Sequence, residues 1–234
     1  MADLVTGPDG AVVDGVLRLG VEGTVGAAGY EVRSTATPEG LRYDVRTPDG
    51  SLVSWTAPGL GDQRTLVLGG ARSGKSTEAE RLLAGHPDTL YVATGGDGSA
   101  DPEWADRIAI HRARRPSTWG LAETIDLVPL LAEPGPPLLI DCLTLWLART
   151  MDAAEVWTDH GRVVMVERAI DELGTAWSVT PRKVVAVSNE VGTGIVPPDP
   201  GTRLYRDLMG RLNTTIAHHS TTVLWCVAGR VTTL

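Results

Sequence analysis

A chain of 234 residues, 42% hydrophobic and 21% charged, is long enough to bury a sizeable core in one domain, or in one domain with an appendage. Its formal net charge of −8 argues against a nucleic-acid surface. The longest apolar runs, such as PPLLIDCLTLWLA, are interrupted by Asp141 and fall short of a membrane span, and MADLVTGPDG lacks the regions of a signal peptide, so the expected location is cytoplasmic.

Residues 1–63 carry nine acids against four arginines and hold 11 of the 27 glycines. Two similar turns, TPEG at 37–40 and TPDG at 47–50, are β-turn formers, because proline presets φ and glycine accepts positive φ. LRYDVR and SLVSW beside them read as short alternating strands. Residues 1–63 are therefore expected to form a small Gly-rich β appendage of unknown role, joined through APGLGDQ to a domain spanning 64–234.

From Arg64 onward, apolar runs alternate with helical patterns. RTLVLGG predicts a buried strand, followed by a helix from about Lys75 to Ala84 that Gly85 would end. TLYVAT at 89–94 predicts a second strand. Asp101 can cap a helix with Pro102 at its first position, and Pro116 disfavours helix at Arg115. The run LLID at 138–141 follows, then a long helical region through Ala176 and the strand VVAVS at 184–188. A helix at about 200–218 and the strand TVLWCVA at 222–228 complete the pattern. This alternation predicts an α/β fold, a three-layer P-loop NTPase domain of the RecA-like kind with a mainly parallel sheet. Cys142 and Cys226 fall in apolar, strand-like runs and read as buried free thiols, which speaks against a disulfide framework or a zinc site.

The chemistry begins at GGARSGKS. Gly69, Gly70, Ala71, Arg72, Ser73, Gly74, Lys75 and Ser76 match G-x-x-x-x-G-K-S between a predicted strand and a predicted helix. In such a P-loop the backbone N–H groups cradle phosphates, the lysine reaches the β- and γ-phosphates, and the serine hydroxyl ligates Mg²⁺. Only two of the 21 basic residues are lysines, Lys75 and Lys183, so a lysine in the one required place is informative. A P-loop enzyme usually needs a carboxylate at the end of a neighbouring strand to hold the magnesium, and Asp141 ends PLLID, where an unpaired buried charge would be costly. Ser76 and Asp141 are the candidate metal ligands.

RIAIHRARRP, residues 107–116, places His111 among four arginines. On a helix Arg107, His111 and Arg114/Arg115 share one face, with Arg112 beside it. Such a cluster repels itself unless an anion neutralises it, and the anion already implied is nucleotide phosphate. Surrounding positive charge also favours the neutral imidazole with its free lone pair, the form that can attack phosphorus. Asn189 and Glu190 in SNEVGTGIVP follow a strand where ligands collect in open sheets, but the glycines there would equally shape a turn. His218 and His219 read as surface residues.

In order, GGARSGKS, LYVATG, RIAIHRARRPSTW, AE at 122–123, LLID, VSNEVGTGIVP and RDLMGRLN resemble the bifunctional adenosylcobinamide kinase and adenosylcobinamide-phosphate guanylyltransferase family of cobalamin biosynthesis, over roughly Arg64 to Leu234. The resemblance implies phosphorylation of adenosylcobinamide by ATP or GTP with Mg²⁺, then transfer of GMP from GTP to adenosylcobinamide phosphate. It implies that His111 receives GMP covalently and that Gly69 to Ser76 bind phosphates. It further implies that Ala93, Thr94, Gly95, Arg112, Ala113, Arg114, Arg115, Glu123 and Asp141 contact the guanine nucleotide. The family often assembles as a trimer, so a homo-oligomer is implied. Gly120 and Leu121 depart from the Arg-Thr that often follows the family's tryptophan. From the residues alone two other readings stay open: a P-loop kinase of another small alcohol with a structural His111, and a nucleotide-gated binding module without group transfer.

Overall fold

The computed structural model describes residues 12–13, 16–17, 23–27, 30–37, 40–47, 49–58, 63–96 and 115–234. Its contacts divide the chain into two compact units, Met1–Gly61 and Asp62–Leu234. In the first, β1 (Val12–Val13) and β2 (Val16–Leu17) form an antiparallel pair. The strands β3 (Gly23–Ala27), β4 (Tyr30–Thr37), β5 (Gly40–Arg46) and β6 (Leu52–Pro58) form an antiparallel meander in sequence order. The β5–β6 connection uses the expected turn chemistry: the Gly50 N–H donates to the Thr47 carbonyl at 2.9 Å, the Ser51 N–H donates to Asp49 Oδ1 at 3.0 Å, and Gly50 sits at φ 86°. Strands β3 and β4 were not anticipated individually from sequence: GTVGA lacks the alternation that marks a half-buried strand, and YEVRSTAT alternates only over its first residues.

The second unit is built on β7 (Arg64–Gly69), β8 (Leu90–Ala93), β9 (Gly120–Glu123), β10 (Leu138–Asp141), β11 (Val184–Asn189), β12 (Thr222–Val227) and β13 (Arg230–Thr233). They form one sheet in the order β13-β12-β7-β11-β10-β8-β9, parallel throughout except for β13, which runs antiparallel to β12. Parallel sheets are covered on both faces, and the near-continuous burial of β7 and β11 reflects this. On one face Leu66, Leu68, Val92, Ile140 and Ala186 pack with Trp146, Leu147, Ile170, Trp177, Met209 and Leu212. Those partners come from α3 (Leu143–Ala153), α4 (Val163–Val179) and α5 (Pro200–His218). On the other face the alternate residues Val67, Leu139, Val185 and Val187 meet Ala79 and Leu83 at α1 (Lys75–Leu82). The result is the expected three-layer α/β arrangement.

Several boundaries differ from the sequence reading. The first helix ends at Leu82, and Leu83 and Ala84 close it with tight bonds to the carbonyls of Glu80 and Arg81. The long helical region is broken. After α3 the Glu155 N–H donates to the Asp152 carbonyl and the Val156 N–H donates to the Met151 carbonyl, with Glu155 at φ 55° and Val156 fully buried. This is a Schellman stop with glutamate where glycine is usual, and it is invisible to a search for helix-ending glycines. A short 3₁₀ turn, His160–Arg162, then leads into α4. Neither β9 nor the short α2 (Leu127–Ala132) was foreseen. TVLWCVA does not end the fold either: Ala228 at φ 49° and Gly229 at φ 74° turn the chain into β13. By contrast α5 starts where it was expected, at about 200, with the Asp199 carboxylate accepting the Thr202 N–H at 2.7 Å. The helix expected at 101–115 lies outside the described residues, apart from Arg115. No described helix is long and apolar enough to cross a membrane.

Candidate functional site

Each parallel strand delivers its last residues to one edge of the sheet, where helix N-termini and loops leave room for a ligand. The registers align Glu123 with Ala93, Ala93 with Asp141, and Asp141 with Val187; two residues further along β11, Asn189 aligns with Gly69 and Gly69 with Cys226. Above this row lies a cleft of about 640 Å³. Of the residues singled out from sequence, Ala71, Arg72, Ser73, Gly74, Lys75, Ser76, Ala93, Gly95, Arg115, Glu123 and Asp141 line it together. His111, Arg112, Ala113 and Arg114 lie outside the described residues.

The P-loop is held from below. Gly69 ends β7 where a Cβ would lie 2.4 Å from Ser73 Oγ and 2.5 Å from the Cys226 carbonyl oxygen, so the close approach of loop, strand and neighbour requires glycine there. Gly74, the last residue before α1, adopts φ 98°. The turn of the β12–β13 hairpin reaches under the loop, its Gly229 N–H donating to the Ser73 carbonyl at 2.9 Å. Lys75 folds back so that Nζ donates to the Gly70 carbonyl at 3.2 Å. Gly69 and Gly70 shape the loop from outside the cleft lining.

Asp141 is not on a strand adjacent to the P-loop strand, as the sequence reading assumed, since β11 runs between β7 and β10. Its carboxylate does not cap α3, whose N-cap is Cys142. Instead Asp141 Oδ2 accepts the hydroxyl of Tyr91 at 2.9 Å. Tyr91, 4% exposed, is held far above the usual phenol range by its burial first and then by the charge of Asp141 and the hydrogen bond to it, so it remains a donor. The Arg115 guanidinium carbon lies 3.9 Å from the centroid of the same ring, a cation–π contact. Arg115, Tyr91 and Asp141 therefore form a connected chain from the end of the arginine cluster to the candidate metal ligand.

Thr94 does not face the cleft. It is fully buried, and its hydroxyl donates to the Cys142 carbonyl at 2.7 Å and accepts the Cys142 N–H at 2.9 Å, which fixes the end of β10 against the end of β8. Burial, with the charge of Asp141 second, pushes the Cys142 thiol up to about 11. Cys226 is buried as well, and both cysteines are free. Asn189, left open from sequence between a ligand-side role and a turn, also lines the cleft, and the lining residues given no site role from sequence are Thr77, Tyr91, Gly96, Leu121, Cys142, Thr144 and Leu145. Strand-end position was the signal for Asn189, whereas Tyr91 lies within β8 and carried none. Leu121 faces the cleft at one of the two positions that depart from the family pattern. His218 is exposed, and its ring meets that of His219 edge-on at 4.9 Å.

Residues 65–234 match the family model described as cobinamide kinase / cobinamide phosphate guanyltransferase. The chain is 42% identical over 171 residues to the bifunctional adenosylcobalamin biosynthesis protein CobP of Pseudomonas aeruginosa, which takes in 71% of this chain and 94% of that protein. It is 38% identical over 174 residues to the bifunctional adenosylcobalamin biosynthesis protein CobU of Salmonella typhimurium, covering 70% of this chain and 95% of that one. Among solved structures, the P4 protein from bacteriophage phi6 in complex with ADP aligns at TM-score 0.35 and 18% identity, over 72% of this chain and 54% of that one. With the family model spanning the whole sheet from β7 to β13, the chain belongs to the cobinamide kinase / cobinamide phosphate guanyltransferase family and is a bifunctional kinase and guanylyltransferase of cobalamin biosynthesis.

Proposed function

We propose that this chain phosphorylates adenosylcobinamide with ATP or GTP and then guanylylates the product through a histidine–GMP intermediate on His111. The observation that carries the reading is the single cleft in which the P-loop, Asp141, Glu123 and Arg115 meet, Arg115 being the last member of the arginine cluster around His111. In the kinase step the hydroxyl oxygen of the aminopropanol arm bonds to the γ-phosphorus. The bond from that phosphorus to the bridging oxygen breaks, nucleoside diphosphate leaves with the electron pair, and the hydroxyl proton is released to water. Lys75, moving from the Gly70 carbonyl to a phosphate oxygen, and the amides of Gly69 to Ser76 stabilise the charge on the transferring group.

In the second step an imidazole nitrogen of His111 attacks the α-phosphorus of GTP and pyrophosphate leaves. A phosphate oxygen of adenosylcobinamide phosphate then displaces the imidazole, and two easier displacements replace one difficult one. Arg112, Ala113, Arg114 and Arg115 surround the triphosphate in this reading, while Ala93, Gly95 and Glu123 border the nucleotide. Thr94 contributes by fixing Cys142 beside Asp141. Ser76 and Asp141 both line the cleft, and their hydroxyl and carboxylate are hard oxygen donors of the kind Mg²⁺ prefers, so these two residues would hold the ion beside the phosphates. When bound, the ion neutralises charge across the β- and γ-phosphates.

Incubation with GTP and Mg²⁺ should leave the protein heavier by one GMP, in an acid-labile, base-stable linkage that maps to His111. His111→Asn should lose this adduct and guanylyl transfer while still phosphorylating adenosylcobinamide, and Lys75→Ala should lose phosphorylation. An adduct on another residue, or equal loss of both activities in His111→Asn, overturns the assignment. The working state is proposed to be a cytoplasmic homo-oligomer, a trimer by family resemblance, which light scattering on the full chain tests.

A further inference from the structure

Asn189 closes β11, the strand that separates the P-loop strand from the strand of Asp141. Its register partner is Gly69, the first P-loop residue, while Val187, two residues earlier, pairs with Asp141. The side chain lines the cleft between the phosphate cradle and the carboxylate. Three elements hold its backbone there. The Asn189 N–H donates to Thr144 Oγ1 on α3 at 2.8 Å, and its carbonyl accepts from Asn213 Nδ2 on α5 at 3.0 Å. Asn213 is itself fixed, since its Oδ1 accepts the buried Ser188 hydroxyl at 2.6 Å. The next residue, Glu190, donates its N–H to the Gly69 carbonyl at 3.2 Å.

The side chain held by this framework is left unsatisfied. Asn189 Oδ1 is shielded from solvent and has no hydrogen-bond partner among the described residues, a costly condition that a donor bound in the cleft would relieve. An amide oxygen is an acceptor only. The phosphate oxygens of ATP or GTP are acceptors too and cannot satisfy it, whereas the attacking hydroxyl of the kinase substrate is a donor. In the kinase reading that hydroxyl approaches the γ-phosphoryl over the P-loop, and Asn189 lines the cleft at the end of the strand paired with the P-loop strand.

We infer that Asn189 binds the attacking hydroxyl of the phosphoryl acceptor and aligns it for in-line attack, the buried Asn213–Ser188 pair serving as its positioning support. This rests on the kinase reading above. A neutral amide is no base, so Asn189 takes no proton: the oxygen–phosphorus bond forms, the bond to the bridging oxygen breaks towards nucleoside diphosphate, and the proton still goes to water. The role is orientation, for which a misplacement of the order of an ångström costs about a hundred-fold in rate.

The test uses the full chain with Asn189→Ala and Asn189→Leu, the second keeping the side chain's bulk. The expected result is a fall of about 10- to 100-fold in kcat for adenosylcobinamide phosphorylation. The KM for the nucleoside triphosphate, the yield of GMP adduct and the melting temperature should stay near wild type. Parallel loss of phosphorylation, adduct and melting temperature would make the residue structural and overturn the inference. A raised triphosphate KM with both reactions slowed would reassign the side chain to phosphate, and unchanged phosphorylation in both variants would also refute it. Failure of the wild-type chain to phosphorylate adenosylcobinamide would overturn the kinase reading itself, so the two failures are distinguishable.

Discussion

Tyr91→Phe removes one oxygen and leaves the ring in place, which makes it a clean probe of the link between the sheet and the candidate metal ligand. The lost contact is a hydrogen bond of 2.9 Å to Asp141 Oδ2 from a side chain that is 4% exposed. Hydrogen bonds to charged groups contribute about 1.5–3 kcal/mol. Asp141 is half-buried and faces the cleft, where water can replace the lost donor, so the low end applies and a destabilisation of about 1.5 kcal/mol is expected. Urea unfolding should show this as a lower midpoint at unchanged slope. The carboxylate is then less restrained, so the Mg²⁺ concentration giving half-maximal kinase activity should rise several-fold. Tyr91→Leu should cost more, because it also removes the ring beneath Arg115, a contact of about 0.5–2 kcal/mol. A stability cycle with Asp141→Asn isolates the pair. An unchanged midpoint together with an unchanged Mg²⁺ requirement in Tyr91→Phe would refute the coupling.

Gly69→Ala should destabilise the chain by about 1–3 kcal/mol, since its Cβ would meet Ser73 Oγ and the Cys226 carbonyl below 3 Å; Gly70→Ala, whose Cβ meets nothing within 4 Å, is the matched control for stability, and urea midpoints of the two variants without nucleotide compare them. Stability should fall as pH rises above about 9, because burial raises Cys142 from 9.0 to about 11 and Tyr205 from 10.0 to about 12. In that window the unfolded chain has lost protons that the folded chain keeps, so alkali favours unfolding; denaturant midpoints at pH 8, 9 and 10 check the sign. A chain starting near Gly61 should fold and keep both activities, as the cleft residues all follow Arg64; an insoluble or inactive product beside a healthy full-length control would show that the first unit is needed.

What the sequence could disclose depended on whether the deciding interaction was local. The P-loop was legible because its spacing is its mechanism, and α5, expected at about 200–218, has its start fixed locally by Asp199 and Pro200. The stop after α3 was equally local but used Glu155 where the rule looks for glycine, and the β12–β13 turn hid behind an alanine at positive φ. For a different reason Tyr91 was unreadable, and Asn189 was legible only as a strand-end residue that could equally belong to a turn. Tyr91 sits in TLYVAT among residues that build the core, and what distinguishes it is a carboxylate 50 positions away. That contact exists only because β8 and β10 are neighbours, and strand order is not encoded by the periodicity of either strand. Asn189 depends on order still more: inserting β11 between β7 and β10 is what moves Asp141 one strand away from the P-loop and brings an amide into the gap. A reader of motifs assigns the two ends of that gap, phosphate cradle and carboxylate, because each is a local pattern. The side chain between them acquires its meaning only from the fold, which fixes the backbone that carries it through hydrogen bonds to its N–H and its carbonyl.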